Sequence, residues 1–253
     1  RAIAQGININ FTLIATLEQY LAAIQAYKEG VALFVANGGK PGQGPYATSV
    51  ASFFVSRTDR ETDPLLKDLS KLVKHIEEQL EKLPQDSEKV VQLRALKAQY
   101  QDENQTQEKL AELAPLVGRS ALASAKLGAY SIFEEEFVNN PVWQVFSRRT
   151  GARIQQIYWA STGVKDAQGK YTADPKYAGN LKAYGTTNTA PPDVVFLVAQ
   201  EAPFDARLTI KDNLDEERAI LEQLEAVGID LAIILDKVYQ DGLKAFAKDD
   251  QAT

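Results

Sequence analysis

Side chains able to bind and orient a polyhydroxylated anion recur at the ends of four strand-like segments in this 253-residue chain. The first segment, GININFTLI over 6–14, alternates Ile7, Ile9, Phe11 and Leu13 with Asn8, Asn10 and Thr12. A sheet face open to water would more often carry Lys, Glu or Arg between the apolar residues, and a packed face Val or Leu. Amides and a hydroxyl predict instead a face turned into an enclosed polar site, where every such group must find a partner. The second segment offers Ser52, Ser56 and Arg57, and the third offers Ser161, Thr162 and, beyond Gly163, Lys165. Thr187, Asn188 and Thr189 close the fourth. Hydroxyls and amides with two cations suit a sugar phosphate. ASTG followed by Lys165 has the residue types of a phosphate-binding turn without the spacing of a Walker loop, and it also reads as an ordinary strand-to-helix turn.

Composition removes several other chemistries. With no cysteine there is no disulfide framework, thiol nucleophile or thiolate metal site, which fits a reducing compartment. The single histidine, His75, lies in the charged amphipathic stretch LSKLVKHIEEQLEKL and is expected on its solvated face, so serine–histidine hydrolysis and histidine-ligated metal chemistry are not expected. A net charge of -6, with Lys and Arg spread among carboxylates, argues against nucleic acid as a partner. No apolar run approaches the length of a membrane span, and the first residues lack the pattern of a signal peptide, so a soluble protein is expected.

The elements that must position these side chains follow a strand–helix rhythm. TLEQYLAAIQAYKEGVALFV has helical spacing, with Thr16 as N-cap and Glu18 and Gln19 close behind. ANGGKPGQGPYAT reads as a loop, SVASFFVSR as a second buried strand, RIQQIYWASTG as a third, and GTTNTAPP as a short polar segment ending where Pro191 and Pro192 start another helix. Helices between the strands imply a parallel α/β fold. Leu66, Leu69, Val73, Ile76, Leu80 and Leu83 form a heptad seam, broken at Pro84, Gln85 and Asp86 before a second helix capped by Ser87. The two should fold back as a hairpin, read either as a docking arm or dimer contact, or as an ornament whose seam is satisfied within the hairpin. Two amphipathic helices separated by Gly228 close the chain.

GININFTLIATLEQY, SVASFFVSRTDRETD, ARIQQIYWASTGVKD and TTNTAPP, in this order, resemble the transaldolases, in particular the longer bacterial and plastid branch. GRSALASAKLGAYSIFEEEF and LEAVGIDL extend the match to most of the chain outside 64–114. The resemblance implies an α/β fold of the (β/α)8 TIM-barrel type with strands five to eight present. The division would be 1–63 for strands five and six, 64–114 for the inserted helical hairpin, and 115–253 for strands seven and eight with the C-terminal helices. It further implies transfer of a dihydroxyacetone unit between sugar phosphates through a lysine Schiff base, without a cofactor, in the cytoplasm or plastid stroma.

Carried over by position, Asn10 and Thr12 resemble the strand-five pair that holds the bound intermediate and orients a catalytic water, and Ser52 and Arg57 the strand-six pair that grips phosphate. Lys165, with Ser161 and Thr162 as neutral donors, stands where the shorter transaldolases use an arginine. The resemblance begins just before strand five, so the Schiff-base lysine, the acid–base glutamate and an essential aspartate are expected outside this chain. None of the clear strands carries a lysine, and the chain alone is expected to be inactive. The missing half-barrel, on the same or a separate polypeptide, is then the expected partner, with a homo-oligomer as a further option. The alternative is a catalytically inactive sugar-phosphate-binding or scaffolding homologue.

Overall fold

The computed structural model describes residues 1–43, 47–165, 170–201 and 207–250; residues 44–46 of the expected Gly- and Pro-rich loop lie outside that set. Four parallel strands, β1 (Ile9–Ile14), β2 (Ser49–Phe54), β3 (Gln156–Ala160) and β4 (Thr186–Asn188), form one sheet in chain order. β1 pairs only with β2 and β4 only with β3 among the described residues, so both edges are open. The architecture is α/β, with four parallel strands in an order consistent with part of a TIM barrel.

Helix α1 (Leu17–Ala36) starts where the sequence predicts. Thr16 Oγ1 accepts the Gln19 N–H while Gln19 Oε1 accepts the Thr16 N–H, which satisfies two of the donors that a helix start leaves unpaired. Tyr20, Ile24, Tyr27, Val31 and Phe34, spaced by four and three, then bury one face of the helix on the sheet. Phe53 meets Tyr20 and Trp159 edge-on at 6.1 and 6.2 Å between ring centres. Full burial of each such side chain contributes roughly 1.5–3 kcal/mol.

Two readings of the first strand need correction. Ile7 is 50% exposed and precedes the strand, and at the far end Ile14 is buried in place of Leu13. The cause is local: Leu13 adopts φ 62°, the β1–β2 register shifts between Phe11 and Ile14, and the slip of one position turns the next side chain inward. Asn10 and Thr12 are also exposed and not enclosed, because a four-stranded sheet does not curl far enough to cover its own inner face.

α2 (Ser56–Leu66), α3 (Leu69–Leu80), α4 (Glu88–Tyr100) and α5 (Thr106–Leu113) follow β2, and α3 and α4 form the expected hairpin. Its seam is not satisfied within itself. Leu66, Leu69, Val73 and Ile76 join Leu93, Leu113, Ile220, Leu224, Ile229 and Ile234 in a second core, which ties the hairpin to α11 (Leu214–Ala226) and α12 (Leu231–Asp250). His75 is buried with the seam, against the expectation of a solvated face, because the hairpin is packed into the second core and not left in water. The Gly228 turn completes the joint: its φ is 89°, a Cβ there would lie 3.0 Å from Ile76, and its carbonyl accepts Gln79 Nε2 at 2.7 Å.

α6 (Ser120–Ala123) and α7 (Ser131–Phe133) are the α-helical turns of a run over 120–138 whose remaining turns are π-helical. α8 (Pro141–Thr150) leads into β3, α9 (Lys176–Asn180) lies in the β3–β4 connection, and α10 (Pro192–Glu201) follows β4. No helix of the described residues is long and apolar enough to cross a membrane.

Candidate functional site

The carboxyl ends of β2 and β3 are joined past their last strand residues. The Val55 and Ser56 N–H groups donate to the carbonyls of Ala160 and Ser161, each at 3.0 Å, so the first turn of α2 is pinned to the end of β3. Ser161 is held at φ 58° in the process, a left-handed conformation that costs a non-glycine residue about 1–2 kcal/mol. The two connections open onto a cleft of about 670 Å³ whose lining includes Ser56, Arg57, Ser161, Lys165, Tyr171 and Thr189.

Arg57 lies in the first turn of α2, not in the strand, with its guanidinium carbon 3.8 Å from the centre of the Phe54 ring. Burial, with Arg60 adding its charge, lowers the Arg57 pKa from its ordinary value. The backbone of α12 passes close by, so that a Cβ on Gly242 would sit 3.5 Å from Arg57 Nη1. Lys165 Nζ stands 5.0 Å from the Tyr171 ring centre. Among the described residues neither Arg57 nor Lys165 has a carboxylate partner. Asp59 and Asp63 also line the cleft, but two cations without a direct ion-pair partner there are suited to an anion.

The other predicted residues lie elsewhere. Asn10, Thr12 and Ser52 line the inner face of the sheet, where Ser52 Oγ donates to Asn10 Oδ1 at 2.8 Å. Thr162 is buried and donates to the Thr189 carbonyl at 3.0 Å, outside the cleft lining. The structure therefore brings Arg57, Ser161 and Lys165 together, sets Asn10, Thr12 and Ser52 on the adjoining inner face, and turns Thr162 away.

Sequence reasoning missed the buried acid in the cleft wall. Asp59 is 4% exposed; its Oδ1 accepts Ser120 Oγ–H at 2.8 Å and Ala121 N–H at 2.7 Å, and its Oδ2 accepts Lys176 Nζ and Tyr177 O–H, each at 2.7 Å. Burial, and after it the charge of Asp59, raises the Tyr177 phenol well above its ordinary pKa and keeps it a donor. Asp63, one turn further along α2, accepts the Gly118 N–H at 2.7 Å, and burial shifts its carboxyl upward. The signal in the sequence was SRTDRETD: acids at 59 and 63 share one helix face directly after a buried strand. Among the described residues no group of three His, Cys, Asp or Glu is placed to hold a metal.

The family model for transaldolase/fructose-6-phosphate aldolase matches residues 1–253. Over 247 residues the chain is 33% identical to the transaldolase of Thermobifida fusca (strain YX), covering 98% of this chain and 54% of that protein. It is 28% identical over 250 residues to the transaldolase of Trichodesmium erythraeum (strain IMS101), covering 98% and 55%, and 30% identical over 244 residues to that of Frankia alni, covering 96% and 53%. The chain spans about half the length of the curated relatives it matches. On the family match over its whole length, the chain belongs to the transaldolase/fructose-6-phosphate aldolase family.

Proposed function

We propose that this chain is the half of a transaldolase that carries strands five to eight of the barrel, and that it supplies the phosphate grip and the water-positioning side chains for dihydroxyacetone transfer between sugar phosphates. The observation that carries the reading is the pair Arg57 and Lys165, without carboxylate partners among the described residues, in one cleft at the carboxyl ends of parallel strands. In barrels of this architecture that end carries the chemistry. The open edges of β1 and β4 and the exposed polar face of β1 support pairing with a complementary half-barrel, which would turn Asn10 and Thr12 toward an enclosed interior.

In the assembled protein a lysine outside this chain attacks the ketose carbonyl and expels water, forming the imine. Loss of the proton from the hydroxyl on the carbon β to the imine breaks the bond between the α and β carbons, which releases an aldose phosphate and leaves the three-carbon unit as an enamine. The enamine attacks the aldehyde of an acceptor aldose phosphate, and water then hydrolyses the new imine to free the product and the lysine. Arg57 and Lys165 hold the phosphate while the carbon centre reacts. Asn10, oriented by Ser52, holds the bound three-carbon unit, and Thr12 places the water that relays protons. Neither role needs a cofactor. The setting is cytoplasm or plastid stroma.

The interaction-arm version of an inactive homologue loses support in this structure, because the apolar seam of the hairpin is packed against α11 and α12. An assay that separates transfer to an acceptor aldose phosphate from release of free dihydroxyacetone tests the function on the complete protein. Transfer is the expected result. Cleavage without transfer would place the protein with the aldolases, and sugar-phosphate binding without either reaction would make it an inactive binding protein.

A further inference from the structure

The cleft holds a cation that the phosphate grip above does not use. Lys176 is the first residue of α9, and its backbone is fixed from both sides: Asp174 Oδ1 accepts its N–H at 2.8 Å, and Asn180 Nδ2 donates to its carbonyl at 2.7 Å. Its Nζ donates to the buried Asp59 at 2.7 Å and stands 3.4 Å from Tyr177 Oη. An ammonium has three donors, and one good contact leaves donors to spare.

Burial decides which way those donors look. The Lys176 side chain keeps 25% of its surface exposed while that of Asp59 keeps 6%, and Lys176 lines the cleft that also contains Arg57 and Lys165. Asp59 and Asp63 also line the cleft, but the negative charge of Asp59 is shared among four donors, and Lys176 is the more exposed of the pair. An anion in the cleft therefore has more of the lysine than of Asp59 within reach. A free lysine would lose much rotamer entropy on gripping an anion, but here Asp59 has already fixed the chain.

We propose that Lys176 is a further anion-contacting residue of the cleft, that Asp59 is its positioning residue, and that Lys176 helps the cleft select phosphorylated over neutral sugars. The proposal rests on the sugar-phosphate reading of the cleft. Titration of the complete protein with inorganic phosphate at low and moderate salt tests it. Lys176→Gln, which keeps a donor for Asp59 and removes the charge, should weaken phosphate by about 10-fold and flatten the salt dependence. Lys176→Arg should restore most of the affinity, which a merely structural role would not require. If Lys176→Gln binds phosphate as the unsubstituted protein does while Arg57→Ala loses it, the role of Lys176 is overturned and the phosphate cleft stands. If the unsubstituted protein binds no phosphate, the cleft reading falls, and this inference with it.

Discussion

Ser52 Oγ and Asn10 Oδ1 are joined by a 2.8 Å hydrogen bond that crosses from β2 to β1 on the open face of the sheet. The serine is buried and the amide exposed, so the bond fixes a side chain that would otherwise turn freely. With its oxygen committed to Ser52, Asn10 presents its NH2 group to whatever occupies that face.

Ser52→Ala should reduce kcat of the complete enzyme about 5-fold, the worth of one neutral hydrogen bond of about 1 kcal/mol, and leave the melting temperature nearly unchanged because the exposed Asn10 amide rehydrates. Steady-state kinetics beside a melting curve check this. A large drop in melting temperature with intact kcat would show that the bond serves only the fold.

Arg57→Ala should weaken phosphorylated substrates 10- to 100-fold, the range of about 1.5–3 kcal/mol for hydrogen bonds to a charged group, and spare unphosphorylated analogues. The comparison is of KM for fructose 6-phosphate and fructose in the same preparation. Equal losses for both would remove the phosphate role of Arg57.

Thr12→Val keeps shape and removes the hydroxyl. Turnover should fall about 10²-fold, as expected when a proton-relay contact is lost, with little change in ground-state binding. Pre-steady-state binding measured beside kcat separates the two effects, and a pure binding defect would assign Thr12 to substrate grip.

His75 gives the structure a specific pH response. Its Nε2 is buried without a partner among the described residues, and burial lowers its pKa below 6.5; Glu78 and Asp230 oppose the shift, while Lys237 and Lys82 add to it. The folded protein therefore resists protonation that the unfolded chain accepts. Above about pH 6.5 both states are neutral and the contribution is fully present; as pH falls from there toward the lowered folded pKa, stability is lost. His75→Leu should flatten the fall in urea midpoint between pH 7 and pH 5. An unchanged slope would place the titration elsewhere.

Much of the scaffold could be read because it rests on short-range rules. Thr16 and Gln19 announce α1, Pro192 starts α10, and the apolar runs of β2 and β3 mark buried parallel strands. What escaped depends on contacts between distant segments. Alternation placed Leu13 inside, yet the kink at Leu13 comes from a register shift against β2. His75 looked solvated on a helix read alone, yet it is buried where the hairpin joins a core completed by Ile220, Leu224 and Ile234, more than 140 residues later. Lys126 is another case. Its side chain keeps only 1% of its surface exposed and donates to Glu217 Oε1 and to the Asp212 carbonyl, each at 3.0 Å, across more than 80 residues of chain. The network of Asp59 joins 59, 120, 121, 176 and 177, and no spacing rule links those positions.

The most direct measurement traps the reaction. Protein isolated in its native state is incubated with fructose 6-phosphate, reduced with borohydride to fix any imine, digested and mapped by mass spectrometry. The account predicts a reduced sugar adduct on a lysine outside these 253 residues, on polypeptide continuous with or bound to them. An adduct on a lysine within these residues, or none at all, would contradict it.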